Sequence, residues 1–284
     1  MNWPLLLAGA LLLLALAAFL YWQVSLAEGV YLGPRVVVWL YDRFAPRYDA
    51  VKKFNARDEA WFLGGPLAQA LRGVTTSLVL DVATGTARLP RALLEQTEFT
   101  GRVIAVDLSR QMLRQAAAKM SPHQERLTLL WQDAAWLPFP DDVFHAVTCI
   151  EALEFLPDAH AALAEMVRVL RPGGILLVSN RTGPGVRWMP GRTMSRQAFV
   201  ALLESLSLTE VNVAVWQVDY DIAWAHKPAT GGHASADLSA TLPALLRCPF
   251  CARGPLERQD RAFYCAACER RYPIADDGVL ELAG

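Results

Sequence analysis

Leu78-Val79-Leu80-Asp81-Val82-Ala83-Thr84-Gly85-Thr86-Ala87-Arg88-Leu89-Pro90 reads as a strand, a tight turn and the start of a helix. The apolar run Leu78-Val79-Leu80 is short and partly β-branched, which suits a strand covered on both faces. Asp81 closes it. Thr84 to Ala87 is small enough for a ligand to approach the backbone. In open α/β sheets ligands bind in this position, outside the carboxyl ends of the strands.

Working outward, Val103-Ile104-Ala105-Val106 is a second buried run and ends in Asp107-Leu108. Leu127 to Trp131 is a third, followed by Gln132-Asp133-Ala134. An acid at the end of the second strand accepts hydrogen bonds from the ribose hydroxyls of a nucleotide. The dinucleotide fingerprint G-x-G-x-x-G is not met: starting at Gly85, Ala87 and Pro90 stand at the other two glycine positions. A pyrophosphate would lose its close backbone approach and its helix amides. The plain alternative is an α/β core whose strand-end acids are only solvated.

Three acids, one per successive strand end, resemble the class I S-adenosylmethionine (SAM) methyltransferases, especially the group containing the ubiquinone/menaquinone C-methyltransferases. In that family the first loop cradles the methionine part of SAM, the second acid holds the ribose and the third contacts the adenine. The resemblance implies SAM contacts at Asp81, Ala83, Thr84, Gly85, Thr86, Asp107, Leu108, Asp133 and Ala134. It extends to Leu137-Pro138-Phe139-Pro140-Asp141 before the fourth strand and to Val169-Leu170-Arg171-Pro172-Gly173-Gly174 before the fifth. It covers roughly Tyr41 to Pro228 and implies a Rossmann-like α/β fold with a seven-stranded mixed sheet. Ala83 departs from the pattern, because the family has glycine there.

The chain has 284 residues and a formal net charge of -1, so no electrostatic argument for nucleic acid exists. Its apolar excess is concentrated at the amino terminus: Pro4 to Trp22 carries no charge, and the first charged side chain is Glu28. About 20 apolar residues span a bilayer, and Trp3, Tyr21 and Trp22 suit its interfaces. A cleaved signal peptide with Ser25-Leu26-Ala27 as its cleavage site is the competing reading, but the basic flank it needs is missing. The expectation is an uncleaved single-pass anchor over 1–28. Arg35, Arg43, Arg47, Lys52 and Lys53 follow the span and nothing basic precedes it, which puts the catalytic bulk in the cytoplasm.

Val30 to Tyr41 reads either as an amphipathic segment on the membrane or as a helix packed on the catalytic domain. Tyr41 to Asp49 resembles the segment that covers the SAM pocket in quinone-type methyltransferases. Arg181, Arg187, Trp188, Met189 and Arg192 fall in a Gly- and Pro-rich loop after the fifth strand, where acceptors sit. Val211–Val215 and Val218–Trp224 read as a closing antiparallel pair. Cys149 has no neighbouring base and reads as an inert buried thiol; His145 reads as structural. Methyl transfer needs mainly proximity and orientation, so no catalytic residue is assigned, although Glu151 and Glu154 follow the fourth strand near the acceptor site.

Residues 29–228 are thus expected to form the catalytic domain and 229–241, small and polar, a linker. In 242–284, Cys248-Pro249-Phe250-Cys251 and Cys265-Ala266-Ala267-Cys268 supply four thiolates of the kind that hold Zn²⁺. Rubredoxin-like iron is the runner-up. The flanks resemble the zinc-ribbon proteins that activate tRNA and protein methyltransferases, which implies docking of a protein partner or stabilisation in cis. A quinone or lipid-like acceptor follows from the anchor and the first resemblance. A non-catalytic SAM-binding scaffold whose ribbon holds a protein or RNA partner is the alternative of a different class.

Overall fold

The computed structural model describes residues 3–74, 76–229 and 242–283. Apart from Ala229, the expected linker lies outside the described residues. The strands in chain order are β1 (Leu78–Val82), β2 (Arg102–Asp107), β3 (Leu127–Trp131), β4 (Phe144–Cys149), β5 (Leu170–Arg181), β6 (Thr209–Gln217), β7 (Tyr220–His226), β8 (Glu257–Gln259), β9 (Ala262–Tyr264), β10 (Arg271–Pro273) and β11 (Leu280–Glu281). One sheet runs β11-β3-β2-β1-β4-β5-β7-β6 and a small one runs β10-β9-β8. β1 to β5 are mutually parallel, and the β6–β7 hairpin closes the sheet antiparallel to β5.

The sheet therefore has eight strands, one more than the family resemblance implies. The extra strand, β11, comes from the carboxyl-terminal module and pairs parallel with β3, Leu280 opposite Leu130 and Glu281 opposite Trp131. Two residues of pairing are invisible to any periodicity argument.

Side chains along β1 alternate between two cores. Leu80 and Val82 join the layer that holds Leu163, Met166, Phe199 and Leu203, and Val79 joins the layer that holds Leu67, Leu93 and Leu113. These helical residues come from α8 (Ala159–Val169) and α9 (Arg196–Ser205) on one face, and from α5 (Gly65–Ala70), α6 (Arg88–Leu94) and α7 (Arg110–Lys119) on the other. Ser109, Asp158 and Ser195 cap α7, α8 and α9, each side chain accepting from a backbone amide in the first turn.

The amino-terminal helix α1 (Trp3–Tyr21) continues through a π-turn at Trp22–Leu26. The most apolar 18 residues of this 24-residue stretch have a mean hydropathy of 2.4, and none of them is buried against the protein. It is long and apolar enough to cross a membrane. Its base is tied down: Trp22 Nε1 donates to the Trp188 carbonyl at 2.9 Å, Tyr31 OH to that of Pro190 at 2.7 Å, and Arg192 to that of Val30 at 2.9 Å. Gly33, at φ +95°, then turns the chain into α2 (Pro34–Phe44), with Pro34 opening the helix. α3 (Tyr48–Lys52) and α4 (Ala56–Glu59) lead on to α5.

The carboxyl-terminal module opens with α10 (Leu242–Leu245) and folds around its two knuckles. In each, the first cysteine's amide donates to a carbonyl five residues on and its carbonyl accepts from the residue four ahead: Cys248 with Arg253 and Ala252, Cys265 with Arg270 and Glu269. Leu246, Leu256 and Phe263 are buried in the same core as α8 and α9. Leu282 and Ala283 amides both reach the Trp131 carbonyl, and Arg247 N donates to the Pro138 carbonyl.

Candidate functional site

A cleft of about 1140 Å³, counted with its open mouth, lies outside the carboxyl ends of β1, β2 and β3. Of the nine residues expected to contact cofactor, all line it: Asp81, Ala83, Thr84, Gly85, Thr86, Asp107, Leu108, Asp133 and Ala134.

The loop after β1 is wound tightly. Ala83, Gly85 and Ala87 take φ values of +54°, +55° and +62°. Only glycine adopts that region freely; an L-alanine there costs roughly 1–2 kcal/mol. The turn lets the Thr84 amide donate to the Val106 carbonyl and the Gly85 amide to Asp107 Oδ2 at 2.7 Å. Asp107 Oδ1 accepts from the Ser109 amide, also at 2.7 Å. Two amides thus aim the Asp107 carboxylate while leaving it further lone pairs.

Burial pushes Asp107 up to about 6, against the pull of those amides. Burial raises Asp81 further, to about 7, although the Thr148 hydroxyl donates to its Oδ1 at 2.6 Å. Asp133 is held differently, its Oδ1 accepting from the Ala135 amide at 2.9 Å. Beside it, Gln132 lines the cleft, and its buried Oε1 has no hydrogen-bond partner among the described residues. Gln132 was not singled out from sequence, where it reads as an ordinary strand-end residue.

The opposite wall is apolar and aromatic. It is built by α2, which presents Val37, Val38 and Tyr41, by Tyr48 of α3, and by Phe155 and Leu156. Tyr41 and Phe155 meet edge to face at 5.4 Å between ring centroids. Burial pushes the Tyr48 phenol up, and burial together with Glu28 raises that of Tyr41. The Tyr41 hydroxyl donates to Glu28 at 2.9 Å. Of the two readings of Val30–Tyr41, packing on the catalytic domain accounts for this face of α2.

Glu151 and Glu154 part ways. Glu151, at φ +54°, lines the cleft and is paired with Arg88 and with Lys52. Arg88 is buried between Glu59 and Glu151, with Phe54 and Trp216 rings 4.1 and 4.9 Å from its guanidinium. Sequence reasoning missed this ion cluster, because its acids lie 29 residues before and 63 residues after Arg88. Glu154 turns behind the wall, accepts from the Tyr220 hydroxyl at 2.6 Å and lies 3.6 Å from Arg181. His145 sits within β4 and accepts the Leu78 amide through Nδ1; burial lowers it to about 4. Cys149 is buried and its thiol is pushed up by that burial.

Away from the cleft, the sulfur atoms of Cys248, Cys251, Cys265 and Cys268 lie within 4.8 Å of one another. The Cys248–Cys268 and Cys251–Cys265 separations are 3.5 and 3.6 Å. A tetrahedral zinc with bonds of about 2.3 Å spaces its sulfurs at about 3.8 Å. The arrangement fits four-coordinate metal with no open position.

Residues 79–174 match the model of the methyltransferase domain family. The ubiquinone/menaquinone biosynthesis C-methyltransferase of Syntrophotalea carbinolica is 35% identical over 147 residues, 51% of this chain and 61% of that protein. The demethylmenaquinone methyltransferase of Mycobacterium tuberculosis is 36% identical over 151 residues, 53% of this chain and 61% of its own. The chain thus spans about three fifths of the length of these relatives. Among solved structures, a SAM-dependent methyltransferase from Aquifex aeolicus superimposes with a TM-score of 0.52 at 20% identity, over 66% of this chain and 98% of its own. The [4+2]-cyclase SpnF gives 0.55 at 20% identity over 70% and 97%. A chain from a complex containing the Haloferax volcanii Trm112 methyltransferase activator gives 0.51 at 20% identity over 66% and 97%. The sheet order and these likenesses agree: residues 79–174 match the methyltransferase domain family, the fold is that of the SAM-dependent methyltransferase from Aquifex aeolicus, and a four-cysteine module follows it in the chain.

Proposed function

We propose that the protein is a membrane-anchored, SAM-dependent methyltransferase whose acceptor is a quinone or a lipid-like molecule. One observation carries this reading. A single cleft has a polar wall suited to a nucleotide and, facing it, an apolar aromatic wall made by α2 and α3, the helices that follow α1, together with Phe155 and Leu156.

SAM, when bound, supplies an electrophilic methyl group on a sulfonium sulfur. The chain's own residues bind and orient. Asp107, aimed by the Gly85 and Ser109 amides, accepts the ribose hydroxyls. Asp81, Ala83, Thr84, Gly85 and Thr86 surround the methionine part, with the Asp81 carboxylate accepting from its ammonium group. Leu108, Asp133, Ala134 and the free Gln132 Oε1 flank the adenine. Tyr41, Tyr48 and Phe155 hold a flat apolar acceptor and keep water out, so proximity and orientation supply most of the rate. The four cysteines hold one Zn²⁺ as a closed structural site. The chain divides into anchor (1–28), catalytic domain (29–228), linker (229–241) and ribbon (242–284), with the catalytic domain cytoplasmic.

Two measurements test this. Calorimetry on the full chain should show S-adenosylhomocysteine binding. Membrane extracts incubated with protein and methyl-labelled SAM should carry label in the organic-soluble fraction. Normal binding with label only in protein or RNA would replace the acceptor assignment, and absent binding would end the enzyme reading.

A further inference from the structure

Outside α1, exposed large apolar side chains fall in several places, Trp61, Phe62 and Phe250 among them, but one group gathers beside the cleft and the base of α1. α2 turns Val37 inward over the cleft and leaves Trp39 60% exposed on its outer side. Val215 and Val218, 71% and 86% exposed, sit at the turn between β6 and β7. That turn lies at the carboxyl end of β5, since Arg181 pairs with Tyr220 and the Thr182 amide donates to the Asp219 carbonyl. Leu32 and Trp188, also exposed, flank the point where α1 is tied down. Val74, exposed just ahead of β1, marks the opposite end of that strand.

Charge follows the same division. Between residues 29 and 57 the exposed cations include Arg35, Arg43, Arg47 and Lys53. The acids of that stretch are committed inward: Asp42 to Ser109 and Gln111, Asp49 to Thr86 and Lys119. Arg187 adds a further exposed cation, its guanidinium 5.1 Å from the Trp188 ring. Aromatic and aliphatic side chains among unmatched cations are the composition of a surface that lies in a bilayer interface. A second copy suits the face less well, because a two-fold pairing would set like charges against each other.

We infer that this face, formed by the outer side of α2, the loop at 184–190 and the β6–β7 turn, rests on a bilayer containing anionic lipids. The cleft then opens against the membrane and takes its acceptor from there. The inference rests on the anchor reading above for its orientation, because α1 leaves the molecule from this face.

The test uses the full chain in vesicles of phosphatidylcholine, with and without phosphatidylglycerol. A photoreactive p-benzoylphenylalanine replaces Trp39, Val218, Leu12 or Val74 one at a time. Lipid adducts are expected from positions 12, 39 and 218 and not from 74, with the yield at 39 rising several-fold when phosphatidylglycerol is present. Adducts at 12 but none at 39 and 218 would overturn the docking face and leave the anchor standing. No adduct at 12 would remove the anchor, while positions 39 and 218 would still decide the face. Chain-to-chain adducts at 39 and 218 in place of lipid would overturn the proposal in favour of a second copy.

Discussion

The two ends of this chain grip the same catalytic core by different means. The amino-terminal segment holds on through side chains: Trp22 and Tyr31 donate to the Trp188 and Pro190 carbonyls, Arg192 of that loop donates back to the Val30 carbonyl, and Asp42 and Asp49 reach into α7 and the β1 loop. The carboxyl-terminal module adds a backbone grip to its side-chain contacts, extending the sheet by β11 and placing two amides on the Trp131 carbonyl. Both grips converge on the first turn of α7. There Asp42 accepts from the Ser109 hydroxyl at 2.6 Å and the Gln111 amide at 3.0 Å, while Arg110 makes a bidentate pair with Asp277 at 2.8 and 2.9 Å and reaches Glu281 at 2.9 Å. That turn also carries the amide that aims Asp107. A side-chain grip over the cleft is easier to loosen than a sheet extension, which suits a wall that must admit an acceptor.

The largest effect should come from breaking the carboxyl-terminal grip. Structural zinc contributes on the order of 10 kcal/mol to folding of small modules, so Cys265→Ser should unfold the ribbon while the two-sided core of the sheet survives. Because β11 would leave β3 and Arg110 would lose both partners, affinity for S-adenosylhomocysteine should fall too. Circular dichroism with zinc analysis checks the first point and calorimetry the second. Normal affinity in an unfolded-ribbon variant would show that the module grips the core without supporting the cleft.

Asp107→Ala strikes where the grips meet. Each hydrogen bond to a charged group is worth about 1.5–3 kcal/mol, so affinity for S-adenosylhomocysteine should drop roughly 10- to 100-fold. Unchanged affinity would remove the ribose assignment. The same site should make binding pH-dependent. Asp81 and Asp107, raised to about 7 and about 6, are protonated in the ligand-free protein below those values. The ligand's ammonium and hydroxyls require carboxylates, so binding releases protons. Affinity should therefore weaken as pH falls through about 7 and then about 6, and a flat calorimetric profile would contradict this.

Smaller effects should separate the two grips at α7. Asp42→Ala removes a partner of the helix start and Arg110→Ala an ion pair that is partly buried on both sides; each should cost about 1 kcal/mol. Thermal unfolding of the single and double variants gives their coupling. Strict additivity would mean that the two ends act on the core independently. The smallest expected change is a gain: Ala83→Gly relieves an L-residue at φ +54° and should stabilise the protein by about 1 kcal/mol or less, net of glycine's added freedom when unfolded. A loss of melting temperature would show that the alanine methyl is packed usefully.

Local pattern was enough for much of this protein. The buried runs ending in Asp81, Asp107 and Asp133, the glycine-poor loop, the uncharged helix at the amino terminus and the paired C-x-x-C knuckles are short-range signals, each set by neighbours within a few residues. They sufficed for the α/β class, the cleft's polar wall and the four-cysteine cluster. Tertiary structure decided what depends on residues far apart in the chain. The eighth strand needed Leu280 beside Leu130. The Arg88 cluster needed Glu59 and Glu151, and the separation of Glu151 from Glu154 needed Tyr220 and Arg181 behind the wall. Which face of α2 meets the cleft was likewise fixed by the sheet end it covers, because an amphipathic helix carries no record of what it packs against.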